Sequence, residues 1–193
     1  MSVAVDQQFS PHLKGDLTIW LVIALEMATF MLFFVSFAWV RADNIDSFRL
    51  HQEALDSSKG LINTALLITG SWAVVRSQSA LKKGLTRPAS NWLLSAILSG
   101  LVFMVFKVYE YKAKFEAGIG LDTDTFYTFY FLLTGFHFFH VFAACIFLLL
   151  IWFSLFKGRL QPHHTHSLDT AAAFWHMVDL LWVVLFPLVY LLP

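Results

Sequence analysis

The sequence predicts an all-α membrane protein in which five spanning helices form one domain, residues 17–193, behind a polar segment, residues 1–16. Three observations carry this reading. Of the 193 residues, 58% are hydrophobic and only 13% are charged, whereas soluble domains carry about a quarter of charged residues. About 20 apolar residues suffice to cross a bilayer, and five stretches qualify, near 17–40, 61–81, 92–109, 126–156 and 168–192. Finally, Glu26, Glu110, His137, His140, His176 and Asp179 interrupt or border these stretches, and a charge at a helix centre costs roughly 2.5 to 3.5 kcal/mol. Such side chains must face protein, water or each other.

The first stretch follows a segment bearing Asp6, Lys14 and Asp16, and is too long and too interrupted by Glu26 for the apolar region of a cleaved signal. No targeting peptide is therefore expected. Glu26 lies roughly 13 Å along the helix axis from Leu17, near the membrane midplane. Its residue type and depth leave two readings, an acid hydrogen-bonded to a neighbouring helix or a proton-handling group.

The second stretch follows a connector, 41–60, that carries Arg41, Asp43, Asp46, Arg49, Glu53, Asp56 and Lys59. Ala65, Thr69 and Ala73 recur at four-residue intervals on it, and Ala96 and Gly100 do so on the third; both sets are expected to be helix contacts. The third stretch ends in Val108-Tyr109-Glu110-Tyr111-Lys112, where tyrosines suit the membrane interface and Glu110 is expected to pair with Lys107 or Lys114. The fourth is about thirty residues long and must tilt or project beyond the membrane. In the fifth, Pro187 removes a backbone donor and predicts a kink.

Connector charge orients the chain. Lys14, Arg76, Lys82, Lys83, Arg87, Lys157 and Arg159 fall on the N-terminal side, while the opposite loops mix acids with bases. The positive-inside rule then places the N-terminus in the cytoplasm and the C-terminus on the opposite side of the membrane. Zero net charge and the lack of a basic run give no reason to expect a nucleic-acid partner. Cys145, the sole cysteine, excludes an intramolecular disulfide, an iron–sulfur cluster and a thiolate zinc site, and reads as a packing residue.

The polar residues fall in pairs. His137 and His140 share one helix face, as do His176 and Asp179. Together with Glu26 they could form a hydrogen-bond network, a proton relay or a metal site. Helical di-iron bundles use Glu-x-x-His pairs, and none occurs here. Histidines three apart on one helix do not bracket a haem, so ligation would need His137 or His140 opposite His176. His163, His164 and His166 make one short histidine cluster in a connector and read as a solvated loop. The plainer account is mutual satisfaction: an imidazole and an acid pair where no water is offered, and Trp175 and Trp182 flank Asp179 as an interhelical joint. Function classes open to such a chain are a scaffold subunit, a membrane metalloenzyme, and a proton or small-solute carrier.

One resemblance is carried by motifs in order. Leu25-Glu26-Met27 with Phe33-Phe34, the run from Leu61-Ile62-Asn63 to Leu67, Val108-Tyr109-Glu110-Tyr111, Thr134-Gly135-Phe136-His137-Phe138-Phe139-His140 and Trp175-His176-Met177-Val178-Asp179-Leu180-Leu181-Trp182 together resemble subunit III of the haem–copper oxidases. The resemblance implies the fold of cytochrome c oxidase subunit III in a short, five-helix form, without the first two of the seven helices of larger members. Gly118-Ile119-Gly120, the segment 129–135 and the segment 185–191 look closest to the branch associated with bacterial nitric oxide reductases, with ubiquinol oxidase subunit III next. It further implies no catalytic, cofactor or metal residue in this chain, and a catalytic partner holding haem with copper or non-haem iron. Other complex subunits and bound phospholipid are expected partners. Glu26, Asn63, Glu110, His137, His140, Trp175, His176 and Asp179 would then form an intramembrane polar network serving structure, protons or lipid.

Overall fold

Long apolar runs without internal proline become helices, because hydrocarbon leaves backbone donors and acceptors no partner but one another. A computed structural model describes residues 17–158 and 166–192, and every regular element among them is helical. The elements are α1 (Leu17–Asp43), α2 (Ile45–Glu53), α3 (Ser57–Lys82), α4 (Thr86–Glu116), α5 (Thr125–Phe156) and α6 (His166–Phe186), which continues as a π-helical turn, Pro187–Leu191. The expected polar segment 1–16 and the residues His163 and His164 lie outside the described residues.

Four of the described helical segments are both long and apolar enough to cross a membrane: Thr18–Asp43, Thr86–Glu116, Thr125–Phe156 and His166–Leu191. Helix α3 has 26 residues but carries Ser57, Ser58, Lys59, Asn63, Arg76 and Gln78, which lower its apolar character. Helices α4 and α5, with 31 and 32 residues, are about 46 and 48 Å long at 1.5 Å per residue, so both exceed a hydrocarbon core of about 30 Å. The third apolar stretch, read as 92–109, is therefore extended at both ends. The connector 41–60 also holds more order than its composition suggests, since α2 runs through it.

Helices α3, α4, α5 and α6 close a ring in which each packs on two neighbours, and α1 leans on α6 and α5 from outside. On α4 the inward stripe is Ala89, Leu93, Ala96, Gly100, Phe103 and Lys107, the spacing of one helix face. On α3 it is Gly60, Asn63, Leu67, Gly70, Ala73 and Ser77. This corrects the small-residue face read from the sequence: Ala73 belongs to it, but Ala65 and Thr69 are exposed and Gly60 and Gly70 take their place. The reason is local, since Gly60 fits under the Phe186 ring and Gly70 under Trp175 and Ser99, contacts that only the opposite helix reveals.

Several helix hydroxyls are satisfied along their own helices. Thr29 donates to the Leu25 carbonyl at 3.0 Å and Ser36 to that of Leu32 at 2.8 Å, the turn-back bond available when water is absent. Cys145 is buried against the α4 backbone. A Cβ built on Gly100 would stand 2.6 Å from the Cys145 sulfur and 3.0 Å from the Trp175 ring, whereas one on Gly135 would meet nothing within 4 Å.

This contrast makes a prediction. Gly100→Ile should overpack the α4, α5 and α6 contact and destabilise by about 1–3 kcal/mol, while Gly135→Ala should be neutral or gain up to about 1 kcal/mol from helix propensity. Thermal unfolding of the detergent-solubilised variants compares the two, and equal melting temperatures would contradict the packing described.

Candidate functional site: two buried ionisable clusters

The inward stripe of α4 carries a lysine to the bundle centre. Lys107 is fully buried, with 0% side-chain exposure against 9% for Glu110 one turn on. Its three ammonium protons have three acceptors: Glu110 Oε2 at 2.9 Å, Tyr190 Oη at 2.9 Å and Tyr130 Oη at 3.3 Å. Each phenol then donates to the other carboxylate oxygen, Tyr130 at 2.7 Å and Tyr190 at 2.8 Å to Glu110 Oε1. The result is a closed circuit of charge-assisted hydrogen bonds, the stronger kind. Four rings surround the ammonium, Tyr111 and Tyr130 at 5.1 Å, Trp182 at 5.5 Å and Tyr190 at 5.6 Å, and aromatic faces attract a cation. Tyr111 donates to Thr134 Oγ1 at 2.9 Å, and Thr134 to the Tyr130 carbonyl at 2.6 Å.

Tyr190 reaches this circuit because of Pro187. Proline supplies no N–H, and the chain widens into a π turn closed by the Leu192 N–H on the Pro187 carbonyl at 3.0 Å. The kink expected at Pro187 is thus this widened turn. The carbonyls left over at the helix end are met from elsewhere: Gln52 on α2 donates to Leu188 O at 3.2 Å and Val189 O at 3.1 Å, and Ser57 to Tyr190 O at 3.4 Å. A small helix in a charged connector therefore caps the last helix of the chain.

The second cluster joins α1 to α5. His140 Nε2 stands 3.0 Å from Glu26 Oε2, and His140 Nδ1 stands 2.8 Å from the Phe136 carbonyl. A carbonyl only accepts, so Nδ1 carries a proton. Nε2 and the carboxyl then share one further proton, held as imidazole with carboxylic acid or as imidazolium with carboxylate. The pair is less enclosed than the first, with side-chain exposures of 26% for Glu26 and 10% for His140. It borders a groove of about 360 Å³ lined by Ile19, Val22, Phe139, Ala143, Phe147 and Phe174.

The remaining candidates separate. His176 takes its closest partner from α3, Ser71 Oγ at 2.6 Å, with Asp179 Oδ2 at 3.5 Å. At 36% side-chain exposure His176 is not the shielded group that its tryptophan neighbours suggest. Trp182 turns its indole N–H to Thr64 Oγ1 at 3.0 Å, while Trp175 packs under Gly70 and Gly100. Asn63 and His137 are buried in the bundle. The five residues read together from the sequence thus divide into Glu26 with His140, His176 with Asp179, and His137 apart from both. Among the described residues no three of the His, Cys, Asp and Glu side chains gather to hold a metal ion.

Sequence reasoning missed Lys107 as an interior residue and missed Tyr130 and Tyr190 altogether. The signal was present in the stripe Ala96, Gly100, Phe103 and Lys107, whose small residues mark a buried face.

Comparison with known proteins finds the same class. A family model described as cytochrome c oxidase subunit III matches residues 14–192. Cytochrome c oxidase subunit 3 of Thermostichus vulcanus is 35% identical over 132 residues, 68% of this chain and 64% of that protein. The protein of the same name from Marchantia polymorpha is 31% identical over 179 residues, 87% of this chain and 66% of that one. Heme-copper oxidase subunit I+III of Aeropyrum pernix is 28% identical over 187 residues, 94% of this chain and 23% of that protein. The chain thus spans at most about two thirds of the length of these three relatives.

The closed circuit predicts non-additive mutants. Lys107→Met leaves Glu110 buried without its cation and should cost about 3–5 kcal/mol, whereas Lys107→Met with Glu110→Gln should recover much of that loss. A double-mutant cycle by thermal unfolding in detergent tests this, and additive losses would show that the two side chains do not act as a pair.

Proposed function

The chain belongs to the cytochrome c oxidase subunit III family, and we propose that it is a non-catalytic accessory subunit of a haem–copper respiratory complex in a bacterial inner membrane. The observation that carries the reading is where the intramembrane polar groups go. Glu26 bonds to His140, Glu110 to Lys107, and Ser71 to His176, each across or along packed helices. Groups used in this way hold a scaffold together. The haem, with copper or non-haem iron, belongs to a catalytic partner, and the Aeropyrum pernix relative, whose name joins subunits I and III, supports that partnership.

We infer five membrane crossings. Helix α3 lies along the whole of α6: Gly60 abuts Phe186 and Tyr190 at one end, and Gln78 donates to Asp169 at 2.8 Å at the other. If α6 crosses the bilayer, a helix that follows it end to end crosses too. The outer face of α1 supports life inside a larger assembly, since Leu25, Leu32 and Trp39 stay exposed and apolar surface of this extent meets lipid or a partner. A second groove of about 340 Å³ between α1, α5 and α6 shares Ile19, Phe147 and Phe174 with the one beside Glu26, and supports a bound acyl chain. Roles for Glu26 and His140 in proton handling, the cytoplasmic N-terminus with a periplasmic C-terminus, and membership of the branch associated with nitric oxide reductases are part of the same proposal. They rest on the one shared proton, on connector charge and on the motifs at 118–120, 129–135 and 185–191.

A complex purified without this chain should keep its haem per catalytic subunit and lose turnover faster on heating. Elemental analysis of the isolated chain should return no stoichiometric iron, copper or zinc. Metal bound by this chain alone would sink the reading in favour of a metalloenzyme, and solute flux into liposomes holding this chain alone would favour a carrier.

Glu26 should react with a hydrophobic carbodiimide, and Glu26→Gln should abolish that labelling while the complex still assembles. Mass spectrometry of the labelled peptide reads the site, and labelling that survives the substitution would place the reactive carboxyl elsewhere.

A further inference from the structure

Two buried side chains each keep two polar atoms without protein partners, where Gln52, Thr170 and Trp175 keep one apiece. Both ring nitrogens of His137 and both amide atoms of Asn63 are buried with no hydrogen-bond partner among the described residues. Neither residue is at an edge: His137 is 0% exposed and Asn63 1%. Their neighbours offer rings, since Phe30, Phe103 and Trp182 lie 6.4, 5.8 and 5.1 Å from the His137 ring.

Trp182 places both residues in one layer. Its ring packs on His137, and its indole N–H is bonded to Thr64, the residue after Asn63. The same ring lies 5.5 Å from Lys107 Nζ, so the layer borders the closed circuit. On its other side Phe30 contacts both His137 and His140, the latter at 5.2 Å, so the layer also borders the Glu26 pair.

Buried amides and imidazoles are bonded to something in nearly every folded protein, and where protein supplies nothing, internal water does so if the site is polar. Here four buried donor or acceptor atoms are gathered around the Trp182 ring, which itself lies 5.5 Å from Lys107 Nζ. We propose that Asn63 and His137 form a hydrated site, binding internal water within the Trp182 layer of the bundle. Water held there gives His137 the hydrogen bonds its neighbours do not, and sets a polar link between the Glu26–His140 pair and the Lys107 circuit. The site is independent of the reading of the chain as an accessory subunit.

The test uses the full chain in lipid bilayers, labelled with 15N-histidine. Solid-state NMR then reads magnetisation transfer from water protons to ring nitrogens, with His166, exposed at the start of α6, as the positive control. Transfer to His137 is expected alongside transfer to His166, and transfer to His166 without His137 would overturn the proposal. Asn63→Leu supplies a second reading on folded protein. Removing an amide that water satisfies should lower the melting temperature, whereas an unchanged or raised value would mean that the amide was dry, and would overturn the Asn63 half.

Discussion

Every polar group in this bundle answers to one constraint: hydrocarbon supplies no hydrogen bonds, so each donor and acceptor must find its partner in the protein or in water held within it. The Lys107 circuit shows how strictly this is met. Three ammonium protons have three acceptors, and the two phenols that accept them pass their own protons to the same carboxylate. Every proton of the circuit thus has an acceptor within it. A buried ion pair alone gives little net stability, because desolvation offsets attraction. What the circuit provides is position: α4, α5 and the end of α6 meet at one point, and only one register of the three helices satisfies it.

The same constraint turns a local fault into a joint. The last helix ends just past Pro187, and its terminal carbonyls would be costly if left open. The π turn closes one of them, and Gln52 and Ser57 take the next three. Tyr190 is carried by that turn into the circuit. Thus the irregular backbone, the short α2 and the buried lysine are parts of one arrangement, and removal of any part leaves polar groups of another without partners.

Much of the fold was legible in the sequence because spans are read from length and apolar content, which need no partner. Glu26 and the pairs at three-residue spacing on the fourth and fifth apolar stretches stood out for the same reason. The partners did not. Helices that are apolar all round show no amphipathic stripe, so the inward face of α3 had to be inferred from small residues, and Ala65 and Thr69 misled because glycine leaves room for a ring only where a ring exists opposite. Lys107 misled in another way. It stands beside Tyr109, Glu110 and Lys112, a composition typical of a membrane interface, and only the continuation of α4 to Glu116 shows that it lies within the bundle. Helix α2 was masked by its charged connector, and the solvated face of Asp46, Arg49 and Glu53 hides the few residues, Phe48 and Gln52, that it buries.

The two clusters differ in what they can do. In the Lys107 circuit every proton has an acceptor within the circuit and Lys107 is fully buried, so it serves as a fastening. The Glu26–His140 pair has an open side. It holds one proton between two groups of which either can carry it, and its carboxyl borders an apolar groove. A proton there can shift between oxygen and nitrogen without breaking the contact that joins α1 to α5, because both protonation arrangements keep the same hydrogen bond. The Lys107 circuit joins α4, α5 and the end of α6, and the Glu26–His140 contact joins α1 to α5, so the two clusters fasten different helices through the one they share.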